Sequence, residues 1–247
     1  MRFNSDVSAK FLSNYEDFVD NKIKSESLKK HHQTFAASSF RCNRLSWFRL
    51  RGVEPDGCRT VSRSLQFKAD VGTACHRIIQ SNLCEMFGDD WIPVKDYLSE
   101  NPIDHNYVIT EDEYESQIEF TDIPIRFACD GLIRINGKYY LVEIKTSELS
   151  SFLDLSDIKP EHIDQIKCYM TLLKLHDAMV IYQDRVNGDM KCYTFHITDN
   201  DMNQIMNRFY YVLDMKEKNL APEGLPVGDK WCSNYCMYYK LCQEYGR

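Results

Sequence analysis

Apolar and polar positions along the chain follow two different periods, and the changes of period divide the sequence into helices and strands. Apolar residues three and four positions apart predict helices over about residues 9–30, 37–50, 70–87, 160–176 and from 199 onward. Apolar and β-branched runs bounded by turn residues predict strands at about 113–121, 123–135, 138–146, 178–184 and 191–197. Taken in order, these elements give a helical start, a sheet, a mixed α/β part and a cysteine-bearing tail.

The two strands that flank Asn136-Gly137 are the most informative part of this pattern. Asn-Gly between β-rich segments is the strongest short-range signal for a two-residue type I′ turn. If these residues form the turn, paired positions always sum to 273, so Asp130 faces Glu143 with Cβ atoms roughly 4.5–5.5 Å apart. Lys145 projects from the same face as Glu143, because side chains alternate along a strand.

Two opposed carboxylates repel each other unless a cation lies between them, so this spacing predicts a divalent metal ion beside a lysine ammonium. The alternative is an exposed hairpin that carries scattered charges. Apolar residues along both strands favour a central position in the sheet, where a carboxylate pair without a partner is costly. The metal site is therefore the favoured interpretation.

Composition limits the class of protein only broadly. The 247 residues include 43% hydrophobic positions, enough for one large domain or a domain with a small appendage. No apolar run approaches the roughly 18–20 residues that span a bilayer, and the first residues lack an apolar signal segment. We therefore expect no membrane association and a cytoplasmic location, in a prokaryotic or phage-infected cell. In that compartment the ten cysteines are thiols or metal ligands rather than disulfides.

The net charge of −7 is distributed unevenly. Residues 1–80 contain 14 Lys/Arg and 8 Asp/Glu, a balance of +6, whereas residues 81–247 contain 16 and 29, a balance of −13. Arginines interleave with aromatic residues in the first part, which suits a nucleic-acid strand, because guanidinium groups bind phosphates and rings stack on bases. A solvated basic helix face would explain the segment equally well. The candidate DNA-binding residues are Arg44, Trp47, Arg49 and Arg77.

Two predicted helices carry residues that fit the hairpin site. His76 lies on the helix over residues 70–87, although a single helical histidine is more often structural than a ligand. Gln165 and Tyr169 are four residues apart on the helix over 160–176, so they share one face. That face is separate from the apolar stripe of the helix, which indicates either a polar site or an exposed polar surface.

The order of these residues resembles the RecB-like branch of the PD-(D/E)XK nuclease superfamily. The motifs that carry the resemblance are Gly72-Thr73-Ala74-Cys75-His76, then Asp130, then Glu143-Ile144-Lys145-Thr146, then Gln165-x-x-x-Tyr169. The resemblance covers about residues 37–245 and implies an α/β fold with a restriction-endonuclease-like core, in which helices flank a central mixed sheet. The expected organisation is a single nuclease domain with a helical part (1–69), a catalytic core (70–218) and a C-terminal cysteine segment (219–247).

The resemblance also implies roles for the hairpin residues. His76, Asp130, Glu143 and the backbone carbonyl of Ile144 would bind Mg²⁺ or Mn²⁺, and Lys145 would orient or activate the attacking water. Hard oxygen ligands suit either ion, and an imidazole shifts the preference toward Mn²⁺. Such an ion can activate water and stabilise the charge that grows on a phosphate during hydrolysis.

The resemblance further implies that Gln165 and Tyr169 position the active-site groups and the DNA strand. The expected function is a metal-dependent DNA exonuclease that acts on single strands or DNA ends in recombination, repair or phage DNA metabolism. The alternatives are a nuclease subunit of a CRISPR-type or helicase–nuclease complex, and a non-catalytic iron–sulfur DNA-binding module. The chain has no GxxxxGK[ST] phosphate loop, so a motor would be another chain, and the intact Asp130, Glu143 and Lys145 argue against a non-catalytic module.

The C-terminal cysteines are a second signal. Cys232, Cys236 and Cys242 lie within eleven residues, a spacing that indicates thiolate ligands of zinc or of an iron–sulfur cluster. RecB-like nucleases of the AddB type, and the exonucleases that accompany CRISPR adaptation, close a [4Fe–4S] cluster with three C-terminal cysteines and one N-terminal cysteine. The resemblance implies Cys42 as the N-terminal ligand, in a stretch where Asn43 replaces the family's proline. Cys58 lies in an acidic turn that disfavours another thiolate. Zinc or unliganded thiols are the alternatives to the cluster.

Overall fold

The computed structural model describes residues 5–27, 33–55, 62–111, 115–226 and 228–245. The helices are α1 (Ser5–Ser27), α2 (Asn43–Leu50), α3 (Arg63–Phe87), α4 (Val94–Glu100), α5 (Leu149–Leu153), α6 (Pro160–Leu173), α7 (Asp199–Glu217), α8 (Lys230–Tyr235) and α9 (Tyr239–Glu244). The strands are β1 (Phe35–Ala36), β2 (Trp91–Ile92), β3 (Tyr107–Glu111), β4 (Ser116–Phe120), β5 (Ile125–Cys129), β6 (Gly131–Ile135), β7 (Lys138–Ser147), β8 (Asp177–Asp184) and β9 (Met190–His196). In these residues, no helix combines the length and apolar character needed to cross a membrane.

The strands form two mixed sheets with helices on their faces. One sheet has the order β1-β5-β4-β3, and the other has the order β2-β6-β7-β8-β9, with β7 and β8 parallel. Strand β7 is central, and both of its faces are buried. Leu141 packs in the core cluster that includes α6, whereas Val142 and Ile144 pack with Ile79 of α3. Glu143 and Lys145 therefore project from the α6 side of a buried strand.

The predicted hairpin turn is confirmed by its backbone conformation. Asn136 and Gly137 both have positive φ angles, of 51° and 76°, as a type I′ turn requires. Five consecutive pairs of β6 and β7, beginning with Ile135 and Lys138, keep the predicted sum of 273. The ladder then stops at Asp130. The single strand predicted over 123–135 is therefore two strands, β5 and β6, which belong to different sheets.

Other element boundaries differ from the prediction for local reasons. Helix α3 begins seven residues earlier than expected, because the Ser62 hydroxyl caps it by accepting a hydrogen bond from Leu65 N. The stretch 88–106, expected to be irregular, contains β2 and α4. Tyr97 of α4 is buried and donates its hydroxyl to the Leu173 carbonyl at the end of α6. Strand β3 was not predicted, and it pairs with β4 as a hairpin.

Segments from the two ends of the chain pack together in the main core. Phe48 of α2 stacks on Tyr238 between α8 and α9, with ring centroids 5.0 Å apart. The Tyr238 hydroxyl donates to the Val53 carbonyl at 3.0 Å. These contacts bring the N-terminal cysteine stretch beside the C-terminal one.

Candidate active site and cysteine cavity

A cavity of about 300 Å³ lies between α3, α6 and the hairpin. All the side chains that the sequence predicted for catalysis and metal binding line it: His76, Asp130, Glu143, Lys145, Gln165 and Tyr169. Its other lining residues are Thr73, Arg77, Gln80, Glu115 and Ala128. Residues separated by up to 96 positions in sequence thus meet at one opening.

The Lys145 ammonium lies between two acceptors. Its Nζ is 2.5 Å from Glu143 Oε1 and donates to Gln165 Oε1 at 3.1 Å. Gln165 Nε2 in turn donates to Tyr169 Oη at 2.7 Å. The pair that the sequence placed on one face of α6 is therefore joined to the lysine by a continuous chain of hydrogen bonds.

The Glu143 carboxyl is the most perturbed acid of the cavity, with its side chain only 3% exposed. Burial raises the pKa of Glu143 to about 7, the Lys145 ammonium opposes that rise, and the neighbouring Asp130 carboxylate adds to it. Desolvation and like charge both disfavour the ionised form. A carboxyl group in this position binds either a proton or a cation near neutral pH.

Asp130 interrupts the strand and turns its side chain toward β7. Oδ2 accepts a hydrogen bond from Ile144 N at 2.7 Å, in place of a backbone partner. The N–H and C=O of one residue in an extended strand face the same neighbour, so the Ile144 carbonyl also faces Asp130. Asp130 Oδ1 lies 3.4 Å from His76 Nδ1, and the Asp130 carbonyl accepts from Gln80 Nε2 at 2.8 Å. Asp130 and Glu143 thus share the cavity without forming the cross-strand pair that the register predicted.

These donors suit Mg²⁺ or Mn²⁺ by their chemistry, because they are carboxylates, a backbone carbonyl and an imidazole. The buried Glu143 carboxyl beside the Asp130 carboxylate supports the fit, since a cation would relieve their repulsion. Across the part of the chain that the structure describes, no group of three His, Cys, Asp or Glu side chains is arranged to hold a metal ion. The Ile144 carbonyl and water would have to complete such a site.

Two residues that the sequence did not identify lie behind Lys145. Tyr182 is the neighbour of Lys145 across the parallel β7–β8 ladder and is 1% exposed. Its hydroxyl accepts from Lys159 N at 3.1 Å and lies 2.7 Å from His162 Nδ1. Burial lowers the pKa of His162 to about 3, and the charges of Lys145 and Lys159 add to this. The imidazole is therefore neutral, and its Nδ1 and the Tyr182 hydroxyl share one hydrogen bond. Tyr182 thereby fixes the first turn of α6.

The sequence contained a signal for one of these two residues. His162 lies three residues before Gln165 and seven before Tyr169, so all three share a face of α6. Tyr182 had no such signal, because the parallel pairing that places it beside Lys145 joins strands distant in sequence.

The predicted DNA-binding residues do not form one surface. Arg77 on α3 lines the active-site cavity. Trp47 is fully buried and donates Nε1 to the Met215 carbonyl at 3.4 Å, while Arg44 is 6% exposed and donates Nε to a backbone carbonyl at 2.8 Å. Arg49 is half-buried, and burial lowers its pKa. In contrast to the prediction, Trp47 and Arg44 present no surface to a nucleic acid, because α2 packs inside the core.

A second cavity, of about 210 Å³, brings the predicted cluster cysteines together. Cys42, Cys232, Cys236 and Cys242 all line it, and none of them forms a disulfide. Burial raises the pKa of Cys236 to about 11, and the other three thiols contribute to that rise. Four thiols of one cavity fit a soft metal or a metal cluster by residue type. Their side chains, like those of the other described residues, are not arranged to hold an ion in this structure. Cys58, the rejected candidate, lies outside the described residues.

Two charged side chains, those of Arg44 and Asp229, form hydrogen bonds with the cysteine segments of this cavity. Arg44 Nη1 donates to Cys242 Sγ at 3.6 Å, so the arginine predicted for DNA contacts a cluster cysteine instead. Asp229 caps α8 by accepting from Trp231 N and Cys232 N, at 2.8 and 3.3 Å. The cap fixes the backbone of the first tail cysteine.

Comparison with known proteins supports the fold. No protein-family model matches the chain, and no curated protein matches it in sequence. The crystal structure of SSO0001 aligns with a TM-score of 0.53 and 19% identity, over 95% of this chain and 98% of that chain. LHK-Exo, in its complex with dAMP, aligns with a TM-score of 0.51 and 16% identity, over 79% of this chain and 93% of that chain.

LHK-Exo is an alkaline exonuclease from Laribacter hongkongensis. At these identities the alignments establish the fold and no further property. The predicted fold class, α/β with helices that flank mixed β-sheet, is therefore confirmed, although two sheets stand in place of the single central sheet that was expected.

Proposed function

We propose that the protein is a metal-dependent DNA exonuclease of the RecB-like branch, which acts on single strands or DNA ends. The observation that carries the proposal is the position of Lys145, in contact with Glu143 and Gln165 in the cavity that also holds Asp130. The nuclease fold shared with LHK-Exo, which binds dAMP in its crystal, supports this function.

The Asp130 and Glu143 carboxylates, the Ile144 carbonyl and His76 would hold Mg²⁺ or Mn²⁺. The ion would supply an activated water and stabilise negative charge on the scissile phosphate. Helix α3 keeps His76 near Asp130, because Gln80, one turn later on the same helix, donates a hydrogen bond to the Asp130 carbonyl. Glu143 would have to be ionised to act as a ligand of the ion.

The remaining residues would orient the reacting groups. Lys145 provides a fixed positive charge beside the attacked phosphate, where charge develops in the transition state. Gln165 holds the lysine ammonium, and Tyr169 holds Gln165. Arg77 at the cavity lining is the proposed phosphate contact of the bound strand.

We further propose that Cys42, Cys232, Cys236 and Cys242 bind a [4Fe–4S] cluster, with zinc as the less favoured occupant. The shared cavity supports this ligand set. Bound there, the group would tie together segments about 190 residues apart in sequence, so its main contribution would be to stability. In this proposal residues 219–247 are part of the single nuclease domain rather than a separate unit.

A time course on end-labelled DNA with Mn²⁺ tests the function. We expect linear single strands to be degraded faster than blunt duplex, and covalently closed single-stranded circles to persist. Efficient cutting of the circles would show an endonuclease, and dependence on an added protein would show a subunit of a larger complex. DNA binding without hydrolysis under all metal conditions would favour the non-catalytic module. Matched RNA strands establish the preference for sugar type.

A further inference from the structure

Helix α1 exposes a row of large apolar side chains. Phe11, Tyr15 and Phe18 are 66%, 59% and 67% exposed, and Val7 and Leu12 flank them at 63% and 58%. Spacings of three and four residues place the aromatic side chains on one face of the helix. Contiguous apolar patches of this kind on a soluble protein mark interaction sites.

The opposite side of α1 attaches the helix to the rest of the protein. Ile23 is buried, and Arg63 of α3 forms ion pairs with Glu16 at 2.9 Å and Asp20 at 3.1 Å. These contacts hold the helix by its C-terminal half. The aromatic row consequently faces away from α3 and toward solvent.

The charges of α1 indicate a protein rather than a nucleic acid as the partner. The helix contains five Asp/Glu and three Lys, so its net charge would repel phosphates. The row itself consists of aromatic and aliphatic residues without a charge among them. Aromatic enrichment with charge depletion is the composition of protein interface cores.

The order of the charges beside the aromatic row favours a second copy of this chain as the partner. Lys10 and Asp17 are seven residues apart, so they lie on the same side of the row, and they are placed symmetrically about its centre between Leu12 and Tyr15. In an antiparallel pair of α1 helices, each Lys10 faces Asp17 of the other copy. In a parallel pair the Lys10–Asp17 edge of one helix would face the opposite edge of the other, so the two charges would not meet. Antiparallel packing also aligns the helix dipoles favourably.

The size of the row suits a weak dimer. Three aromatic side chains of about 150–250 Å² each, roughly two-thirds exposed, contribute on the order of 300–500 Å² per copy. With the two aliphatic residues, the pair would bury roughly 1,000 Å² in total, the lower limit for a specific interface. We propose that the protein forms a two-fold dimer through antiparallel α1 helices, with Phe11, Tyr15 and Phe18 at its centre.

Sedimentation velocity over a concentration series, with the full chain in its metal-loaded form, tests this dimer. The wild type should shift from monomer to dimer as concentration rises. Phe11→Asp should weaken dimerisation by more than about tenfold, as expected for the loss of a central aromatic contact. Phe67→Asp is the matched control, because Phe67 lies on α3 and is equally exposed, at 67%. A monomer at all concentrations, or a dimer unaffected by Phe11→Asp, would overturn the proposal.

A charge exchange separates self-association from binding of another protein. Lys10→Glu and Asp17→Lys should each weaken the dimer, because each places like charges opposite one another. A mixture of the two variants should recover dimers, since the carboxylate introduced by one substitution then faces the ammonium introduced by the other, and the unchanged Lys10 faces the unchanged Asp17. Failure of the mixture to associate better than either variant alone would overturn the antiparallel arrangement. Both residues are exposed, but the pKa of Arg63, raised chiefly by its hydrogen bond to Glu16, is raised further by the nearby Asp17 carboxylate. Thermal unfolding therefore checks that each variant keeps α1 attached and the protein folded.

Discussion

The Lys145 ammonium contacts the Glu143 carboxylate at 2.5 Å, two positions away on the same face of β7. The contact joins the lysine that would orient or activate the attacking water to a proposed metal ligand. A bound divalent ion would compete with the ammonium for Glu143, whereas Gln165 would remain a partner for Lys145. Two acceptors, the Glu143 carboxylate and the neutral Gln165 amide, therefore hold Lys145 in place.

Replacement of the core residues should separate catalysis from binding. Asp130→Ala, Glu143→Ala and Lys145→Ala should each reduce hydrolysis by at least about 10²–10³-fold, because these groups act on the transition state. DNA affinity, measured by fluorescence anisotropy, should change little. Lys138→Ala is the control, since Lys138 lies on the same strand and is 53% exposed. Undiminished cleavage by Glu143→Ala would show that this cavity is not the active site.

The stability of the metal-free protein should depend on pH through Glu143. Its pKa is raised from 4.5 to about 7 by burial, so the group's contribution to stability is present below pH 4.5 and is lost as pH rises through 7. Glu143→Gln cannot ionise. As pH rises from 5 to 8, the free energy of unfolding of the variant should increase by about 1–3 kcal/mol relative to that of the wild type. Urea unfolding in EDTA at both pH values measures this, with the exposed Glu119→Gln as control. If the free energies of unfolding of the variant and the wild type differ by the same amount at pH 5 and pH 8, burial does not raise the pKa of Glu143.

Tyr182→Phe should lower kcat without changing KM, because the hydroxyl positions α6 rather than the substrate. Its loss removes the hydrogen bonds to Lys159 N and His162. Tyr193→Phe is the matched control, since its hydroxyl bonds the Leu155 carbonyl instead.

A double-mutant cycle distinguishes positioning from a general loss of stability. If Tyr182 acts through Gln165, its substitution should add little in a Gln165→Ala background. Faster hydrogen exchange at the Lys159 amide in Tyr182→Phe gives a second measurement that does not depend on activity. Full additivity of the two substitutions would show that Tyr182 has only a structural role.

Cys42→Ala should lose the bound metal and thermal stability together. Protein purified without oxygen should be brown and contain about four iron atoms per chain, as in a [4Fe–4S] cluster. Cys58→Ala and the exposed Cys192→Ala should retain both properties. Stoichiometric zinc without iron would replace the cluster but keep the ligand set. Full iron in Cys42→Ala would exclude Cys42 as a ligand.

Local sequence determined the hairpin and the residues that α6 presents to it. The Asn136-Gly137 turn sets the register by its own backbone preference, and alternation along β7 puts Glu143 and Lys145 on one face. Helical spacing likewise places Gln165 and Tyr169 together. These relationships involve residues within one turn or one helix, where a short pattern of residue types is sufficient.

Tertiary structure alone decided the relationships between distant segments. Because α2 is buried, Arg44 donates to a cysteine of the second cavity and Trp47 lies in the core. Neither residue is the DNA contact that the local pattern of charge predicted. Parallel pairing of β7 with β8 placed Tyr182 beside Lys145. The hydrogen bond from Ile144 N drew Asp130 out of the predicted ladder and divided one strand between two sheets. Each of these outcomes depends on a partner far away in sequence, which no pattern within the segment itself specifies.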